Sequence, residues 1–214
     1  MIRTHHSELL DALPPEHPDA QHSRRDLRLI NRLAGNHRWI AEILPPLLYH
    51  NDRVLEVGAG TGELCELLAA SGIAADGLDL WPRPLHWPLP RAWHVADLRT
   101  FTGYADYSVI VGNLIFHQFT DSELRALGAA LRRSARLIIA CEPTRRRLTQ
   151  ALLRLLGPLL GANHVTRYDA HVSVAAGFRG DELPNLLGLT DGDWDISCKT
   201  TALGSYRMVA LRHA

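Results

Sequence analysis

Cysteine is scarce in this sequence. Cys65, Cys141 and Cys198 stand far apart and no CxxC pair occurs, so no disulfide framework, zinc knuckle or other metal site is expected. Isolated, reduced thiols fit a cytoplasmic location. No run of about 18 apolar residues is present, so no integral membrane segment is expected. Met1 to Glu8 has no apolar core of a secretory signal. Neither sign of charge dominates. Lys and Arg total 23, Asp and Glu total 23, and the formal net charge is zero at pH 7. A dedicated nucleic-acid binder ordinarily carries surplus positive charge, so nucleic acid is not an expected partner. No internal repeat and no long low-complexity linker interrupts the chain.

Apolar residues make up 46% of the 214 and charged residues 21%, enough for a core without covalent staples. The first fifty residues read as helical. Leu27, Ile30, Leu33 and Ala34 recur at helical spacing, with Arg24, Arg25, Arg28 and Arg32 elsewhere on the turn. Gly35-Asn36 is a stop signal, and a second helix from His37 to about His50 is kinked or broken by Pro45-Pro46. Residues 1–50 are therefore expected to form a helical N-terminal cap on a main domain of 51–214.

The texture changes at Arg53. Short apolar runs at 54–57, 73–80, 93–96, 107–112 and 136–141 read as strands, and 63–71 and 121–133 as helices, the latter capped by Thr120 or Asp121. A further helix runs from Pro143 to about Leu156, where Gly157-Pro158 ends it, with Leu159 and Leu160 beyond. Residues 194–200 and 206–212, joined through Gly204, form an antiparallel pair at the sheet edge. Strands alternating with helices predict an α/β, Rossmann-like, mostly parallel sheet of about seven strands, helices on both faces and the last strand antiparallel. One segment departs from this. Residues 81–90 hold four prolines where a crossover helix belongs, so an extended connection is expected there.

The chemistry is concentrated in Glu56-Val57-Gly58-Ala59-Gly60-Thr61-Gly62, between a strand and a helix. Glycines there allow a tight turn and close approach of a ligand, and the helix N-terminus offers unpaired N–H groups. The dinucleotide fingerprint needs glycine at position 63, which is Glu. The observed ExGxGxG resembles the first motif of class I S-adenosylmethionine-dependent methyltransferases, matched at Glu56, Gly58, Gly60 and Gly62. Asp79 at the second strand end stands where an acid accepts from the ribose hydroxyls. The resemblance further implies that Asp97 and the backbone at Leu98 contact adenine, that Leu80 and Ala59 border the cofactor, and that Asn113 and Leu114 lie along its methionine part. It spans about residues 50 to 142. Trp81 is read either as a stack for the base or as a core indole.

Asn113-Leu114-Ile115-Phe116-His117 lacks the Pro-Pro-aromatic run of amine-methylating enzymes and resembles the aromatic–His stretch of small-molecule methyltransferases, including quinone-biosynthesis types; that resemblance implies a small-molecule acceptor, apolar or aromatic, methylated at oxygen or carbon. His117 is the leading base, since imidazole titrates near neutrality; packing under the cofactor or capping the next helix is the other reading. His171 and Tyr168 are second candidates, in a segment read as an acceptor lid or a surface loop. Asn31, His37 and Arg38, near the junction of the two N-terminal helices, read either as a solvated junction or as a reach to the methionine carboxylate, and Glu142, at a strand end, as facing the acceptor. Arg145-Arg146-Arg147 and the leucines after them read as a solvated helix end, a homodimer contact, or a dock for an acidic carrier protein or lipid headgroups. Two other functions stay open: a nicotinamide-dependent oxidoreductase, disfavoured by Glu63, and a non-catalytic cofactor-binding subunit.

Overall fold

Apolar runs buried on both faces pair in parallel when helices cover them. The computed structural model describes residues 1–14, 16–85, 87, 91–158, 161–189 and 192–213. In it, β1 (Val54–Val57), β2 (Ala75–Asp79), β3 (Trp93–Val95), β4 (Val109–Asn113), β5 (Leu137–Pro143), β6 (Trp194–Thr200) and β7 (Ser205–Arg212) form one sheet in the order β3-β2-β1-β4-β5-β7-β6. β1 to β5 are parallel, and β7 lies antiparallel between β5 and β6. The expected sheet, with its antiparallel edge, is present. Its order reverses at β1, and the switch point opens a crevice at the carboxyl ends of β1 and β4.

The helices are α1 (Pro18–Ala34), α2 (Asn36–Ile43), α3 (Glu63–Ala70), α4 (Asp121–Leu131), α5 (Arg147–Leu156), α6 (His164–Ala176) and α7 (Glu182–Leu187). Alternation along the strands divides them between two faces. Val54, Val109, Val111, Leu137 and Ile139 pack with Ile40 of α2, Leu44 just past its end, and Leu64 and Leu68 of α3. Leu55, Val57, Ile110 and Ile138 pack with Leu124, Leu127 and Leu131 of α4 and Leu183 and Leu187 of α7. Gly128 lets α4 sit directly on the Leu187 backbone. Thr120 is the cap of α4, in a reciprocal pair with Glu123. α2 stops at Ile43, short of the expected end near His50, because Pro45-Pro46 permits only a single tight turn over Pro45–Leu47.

The proline-rich connection contains no helix over 81–85 and 87; His86 and 88–90, where the same expectation applied, lie outside the described residues. Trp87 fills the space instead. It is buried edge-to-face on Trp93 with ring centroids 4.8 Å apart, and its indole N–H donates to the Arg91 carbonyl at 2.9 Å. Gly77 accommodates the pair, since a Cβ there would lie 2.6 Å from Trp93. Leu159 and Leu160 also lie outside the described residues. Among the described residues no helix is long and apolar enough to cross a membrane.

Candidate functional site

A cavity of about 860 Å³ occupies the crevice. Its floor is the loop after β1 with the ends of β2, β4 and β5. Its roof is α1, α6 and the segment before α1.

The loop after β1 owes its shape to glycine. Gly58, Gly60 and Gly62 have φ of 68°, 55° and 81°, a region that L side chains rarely adopt. Gly58 is needed for packing, because a Cβ there would lie 2.5 Å from Ile115 Cγ1. Gly60 is different: a Cβ there meets nothing within 4 Å, so the open side of the loop faces the cavity. Asp79 ties the loop to β2. Its Oδ2 accepts from the Gly60 amide at 2.7 Å and its Oδ1 from the Trp81 amide at 2.9 Å. Burial raises the Asp79 pKa against these amides. A carboxylate offers about four acceptor sites, so Asp79, which lines the cavity, keeps acceptor capacity beyond these amides. Glu56 is buried beneath the loop, and the Cys65 thiol donates to its Oε2 at 2.9 Å. Burial pushes its pKa to about 8, so it carries a proton at neutral pH.

Around this floor, Leu80, Asp97, Leu98, Asn113 and Leu114 all line the cavity. The Asp97 carboxylate is clasped by Arg99, 2.5 Å from Nη2 to Oδ2. The Arg24 guanidinium of α1 lies 4.5 Å from the Trp81 ring centre, so one indole face is covered from the roof. Asn113 Nδ2 donates to Asn31 Oδ1 and to His37 Nε2, each at 3.1 Å. Burial lowers the His37 pKa, leaving a neutral ring able to accept. Asn113 Oδ1 has no hydrogen-bond partner among the described residues.

The other end of the cavity is built on Glu142. Its carboxylate, fully buried at the end of β5, accepts from the amides of Ile115, Phe116 and His117 at 3.0, 2.8 and 3.2 Å. Gathering three amides onto one carboxylate bends the chain after β4. Leu114 takes up the bend at φ 58°, the one non-glycine residue with positive φ among those described. His117 Nδ1 donates to Glu142 Oε2 at 2.6 Å, and its Nε2 lies 3.3 Å from Glu8 Oε1. Burial alone would discharge the ring, but the two carboxylates prevail and raise its pKa to about 10.

No family model and no curated protein matches the sequence. Solved structures do match. The plantazolicin methyltransferase BpumL, in complex with a triazolic desmethylPZN analog and SAH, superposes with TM-score 0.71 at 12% identity, covering 96% of this chain and 93% of that one. The pyocyanin biosynthetic protein PhzM gives 0.63 at 16% identity, over 96% of this chain and 62% of that one. Magnesium protoporphyrin IX methyltransferase from Synechocystis PCC 6803, with bound SAH, gives 0.51 at 18%, over 89% and 83%. The chain has the class I methyltransferase fold.

Within that methyltransferase fold the expected cofactor-side residues converge on one cavity, from Glu56 through Gly58, Ala59 and Gly60 to Leu114; Gly62 lies behind them as the residue before α3. The expected acceptor-side residues do not all converge. His117 lines the cavity between two carboxylates that raise its pKa, an arrangement that favours a ring already holding its proton over one that accepts a proton near neutrality. Tyr168 and His171 are in α6, not in a loop, and line a separate hollow against Gln150 and Arg154 of α5. The helical phase turns their neighbours Asp169, Ala170 and Ser173 into the cavity instead. Arg38 points to solvent and pairs with Glu42 at 2.7 Å, while Asn31 and His37 line the cavity. Arg145 is buried, donating to Glu182 and to the Gly177 carbonyl, so it presents nothing to a surface partner.

Sequence reasoning missed the segment before α1. Arg3 donates to Asp121 at 2.5 Å and to the carbonyls of Phe119 and Ala176 at 2.7 Å each. The amides of Leu9 and Leu10 donate to Asp169 at 2.7 and 3.0 Å, and Ser173 donates to Glu8. Asp11 lines the cavity and stays accessible; partial burial and the carboxylates of Glu8, Asp169 and Asp79 raise its pKa to about 6. Nothing local in Met1 to Leu13 signals this strap, because its partners lie more than a hundred residues away.

Proposed function

We propose that this protein is an S-adenosylmethionine-dependent methyltransferase whose acceptor is a small molecule with an apolar or aromatic body, methylated at oxygen or carbon. The observation that carries the reading is the Gly60–Asp79 pair: a left-handed glycine with open space where a side chain would stand, held by a carboxylate that itself lines the cavity. Both features fit a ribose with its two hydroxyls, and the Gly62 turn leaves the first amides of α3 without a side-chain cap. S-Adenosylmethionine, when bound, supplies a methyl group already activated by a sulfonium. Asp79 would hold its ribose, Asp97 and Leu98 its adenine, and Asn113 with Leu114 its methionine part.

What the chain adds is placement. An acceptor must be held about 3–3.5 Å from the methyl carbon and in line with its leaving group. Leu27, Ile30, Leu153 and Val174 give the cavity the apolar wall that favours an apolar body. The His117 ring, held between two carboxylates, braces the far wall, and where a hydroxyl acceptor must lose a proton, we assign that role to Asp11, an accessible cavity-lining carboxylate whose pKa is raised to about 6. The isolated thiols fit a cytoplasmic enzyme, with a carrier-bound acceptor or a homodimer as further possibilities of the same reading.

Calorimetry with S-adenosylhomocysteine and NADH, followed by labelled S-adenosylmethionine with phenols, carboxylates, quinones and acyl-carrier thioesters, tests this. The expected result is binding of the first nucleoside only, weakened at least about tenfold by Asp79→Ala through the lost ribose hydrogen bonds. Binding of NADH alone would replace the reading with an oxidoreductase. Tight nucleoside binding without turnover on any acceptor would make the chain a non-catalytic subunit.

A further inference from the structure

The leucine- and arginine-rich segment after β5 is absorbed by neither end of the cavity. α5 turns Thr149 and Leu153 to the cavity and packs on α6. Its outer side carries Leu148, Ala151, Leu152 and Leu155, all exposed. These positions follow i, i+3, i+4 and i+7, so they make one continuous stripe. Leu148 and Leu155 are 69% and 68% exposed. Single exposed leucines are ordinary; a stripe of them marks a contact surface. Arg147 and Arg154, one heptad apart and both exposed, border the stripe, and exposed Arg146 precedes the helix. From Thr144 to Asn163 there are four arginines and no acidic residue. Leu203, 71% exposed, extends the apolar surface from the β6–β7 turn, where Gly204 packs on Thr149.

We propose that α5 docks this protein on an anionic lipid surface. The leucines enter the acyl boundary, and Arg146, Arg147 and Arg154 sit among headgroup phosphates. The charge is local, because the whole chain is neutral and its acids lie elsewhere. A protein partner fits less well. Specific protein interfaces engage about 20–30 residues a side around aromatic or arginine anchors. The stripe is four residues on one short helix, with no aromatic member. A bilayer demands neither area nor shape. Docking does not depend on the acceptor assignment. If that assignment holds, the same helix places the cavity wall at the phase in which an apolar acceptor dissolves.

Flotation of the full chain with vesicles of phosphatidylcholine, with and without phosphatidylglycerol, tests the docking. The protein is expected to float only with the anionic vesicles and to be released as salt is raised. Replacing Leu148, Leu152 and Leu155 together by Ser should lower partitioning at least about tenfold, from the apolar area withdrawn. Arg147→Gln and Arg154→Gln should each lower it about fivefold. Unchanged S-adenosylhomocysteine affinity and circular dichroism identify a folded variant, and a variant that fails them is replaced by the single Leu155→Ser. No flotation with anionic vesicles, equal flotation with neutral ones, or flotation untouched by the leucine changes would each overturn the proposal. So would a concentration-dependent dimer abolished by those changes, which would give the stripe to a second copy.

Discussion

Gly58 and Gly60 share a left-handed backbone for different reasons, and substitution separates them. An L side chain at such φ costs about 1–2 kcal/mol wherever it occurs. Gly72, at φ 79° with nothing near a Cβ, lies outside the cavity and measures that cost alone. Gly60→Ala should therefore destabilise as little as Gly72→Ala in urea melts, while lowering S-adenosylhomocysteine affinity at least about tenfold because its methyl enters the ligand's space. Gly58→Ala, driven into Ile115, should lose a further 1–3 kcal/mol, roughly the cost of overpacking. Equal affinity in the Gly60 and Gly72 variants would remove the loop from the binding site. His117 gives a second residue-scale prediction. Its folded pKa of about 10 exceeds the unfolded 6.5, so between those values the folded chain holds a proton that the unfolded chain has released. The stability it contributes is complete below pH 6.5 and is lost as pH rises through 10. Wild-type melting should fall more steeply than that of His117→Gln between pH 7 and 10, and parallel curves would show the ring to be neutral.

Elements were legible where composition alone decides them. The strands at 54–57 and 137–143 are mostly apolar runs, broken only by Glu56 and by Glu142-Pro143, and Thr120 with Glu123 spells a cap that the structure makes. The replacement of a helix by prolines was also legible, but not what would fill its place; Trp87 does so through contacts with Trp93 and β2 that no local pattern encodes. Trp87→Ala should accordingly cost about 3–5 kcal/mol, the range for a buried aromatic, although the residue sits in a connection. A loss under 1 kcal/mol in denaturant melts, roughly a surface value, would mean that the indole does not substitute for the helix. α6 was illegible for the opposite reason. Val165, Val172 and Val174 are buried along with Thr166 and Asp169, so its polar and apolar residues do not separate into two faces. The cap at Asn163, accepting from the Thr166 amide at 2.9 Å, was the one local sign of a helix there. Reading the segment as an acceptor lid selected Tyr168 and His171; the helical phase turns Asp169 and Ser173 to the cavity.

At the scale of the whole molecule, the cavity closes only because distant stretches of the chain meet. The glycine loop and Asp79 lie within about one βαβ unit, which is why the cofactor half could be read from spacing. The far wall joins Glu8, His117, Glu142 and Ser173, drawn from four separate stretches of sequence. None of the first fourteen residues is fully buried, and none belongs to either core cluster. The strap is thus held chiefly by polar contacts, among them those to Asp121, Asp169 and the His117 ring, with the Arg3 guanidinium over the Phe178 ring. Removing residues 1–13 should leave a folded sheet. The floor contacts at Gly60 and Asp79 are untouched, so S-adenosylhomocysteine affinity should stay within about threefold, less than the ~1 kcal/mol of a single hydrogen bond. The acceptor end changes more. His117 loses one of its two carboxylates, Asp169 loses the amides of Leu9 and Leu10, and water reaches the wall. Turnover, once an acceptor is known, should fall by about 100-fold or more, as expected when positioning and exclusion of water are lost together. The split between affinity and turnover is the decisive readout. A truncated chain that binds and turns over normally would show the strap to be ornament on a site complete without it, and one that loses both would place the cofactor, not the acceptor, beneath it.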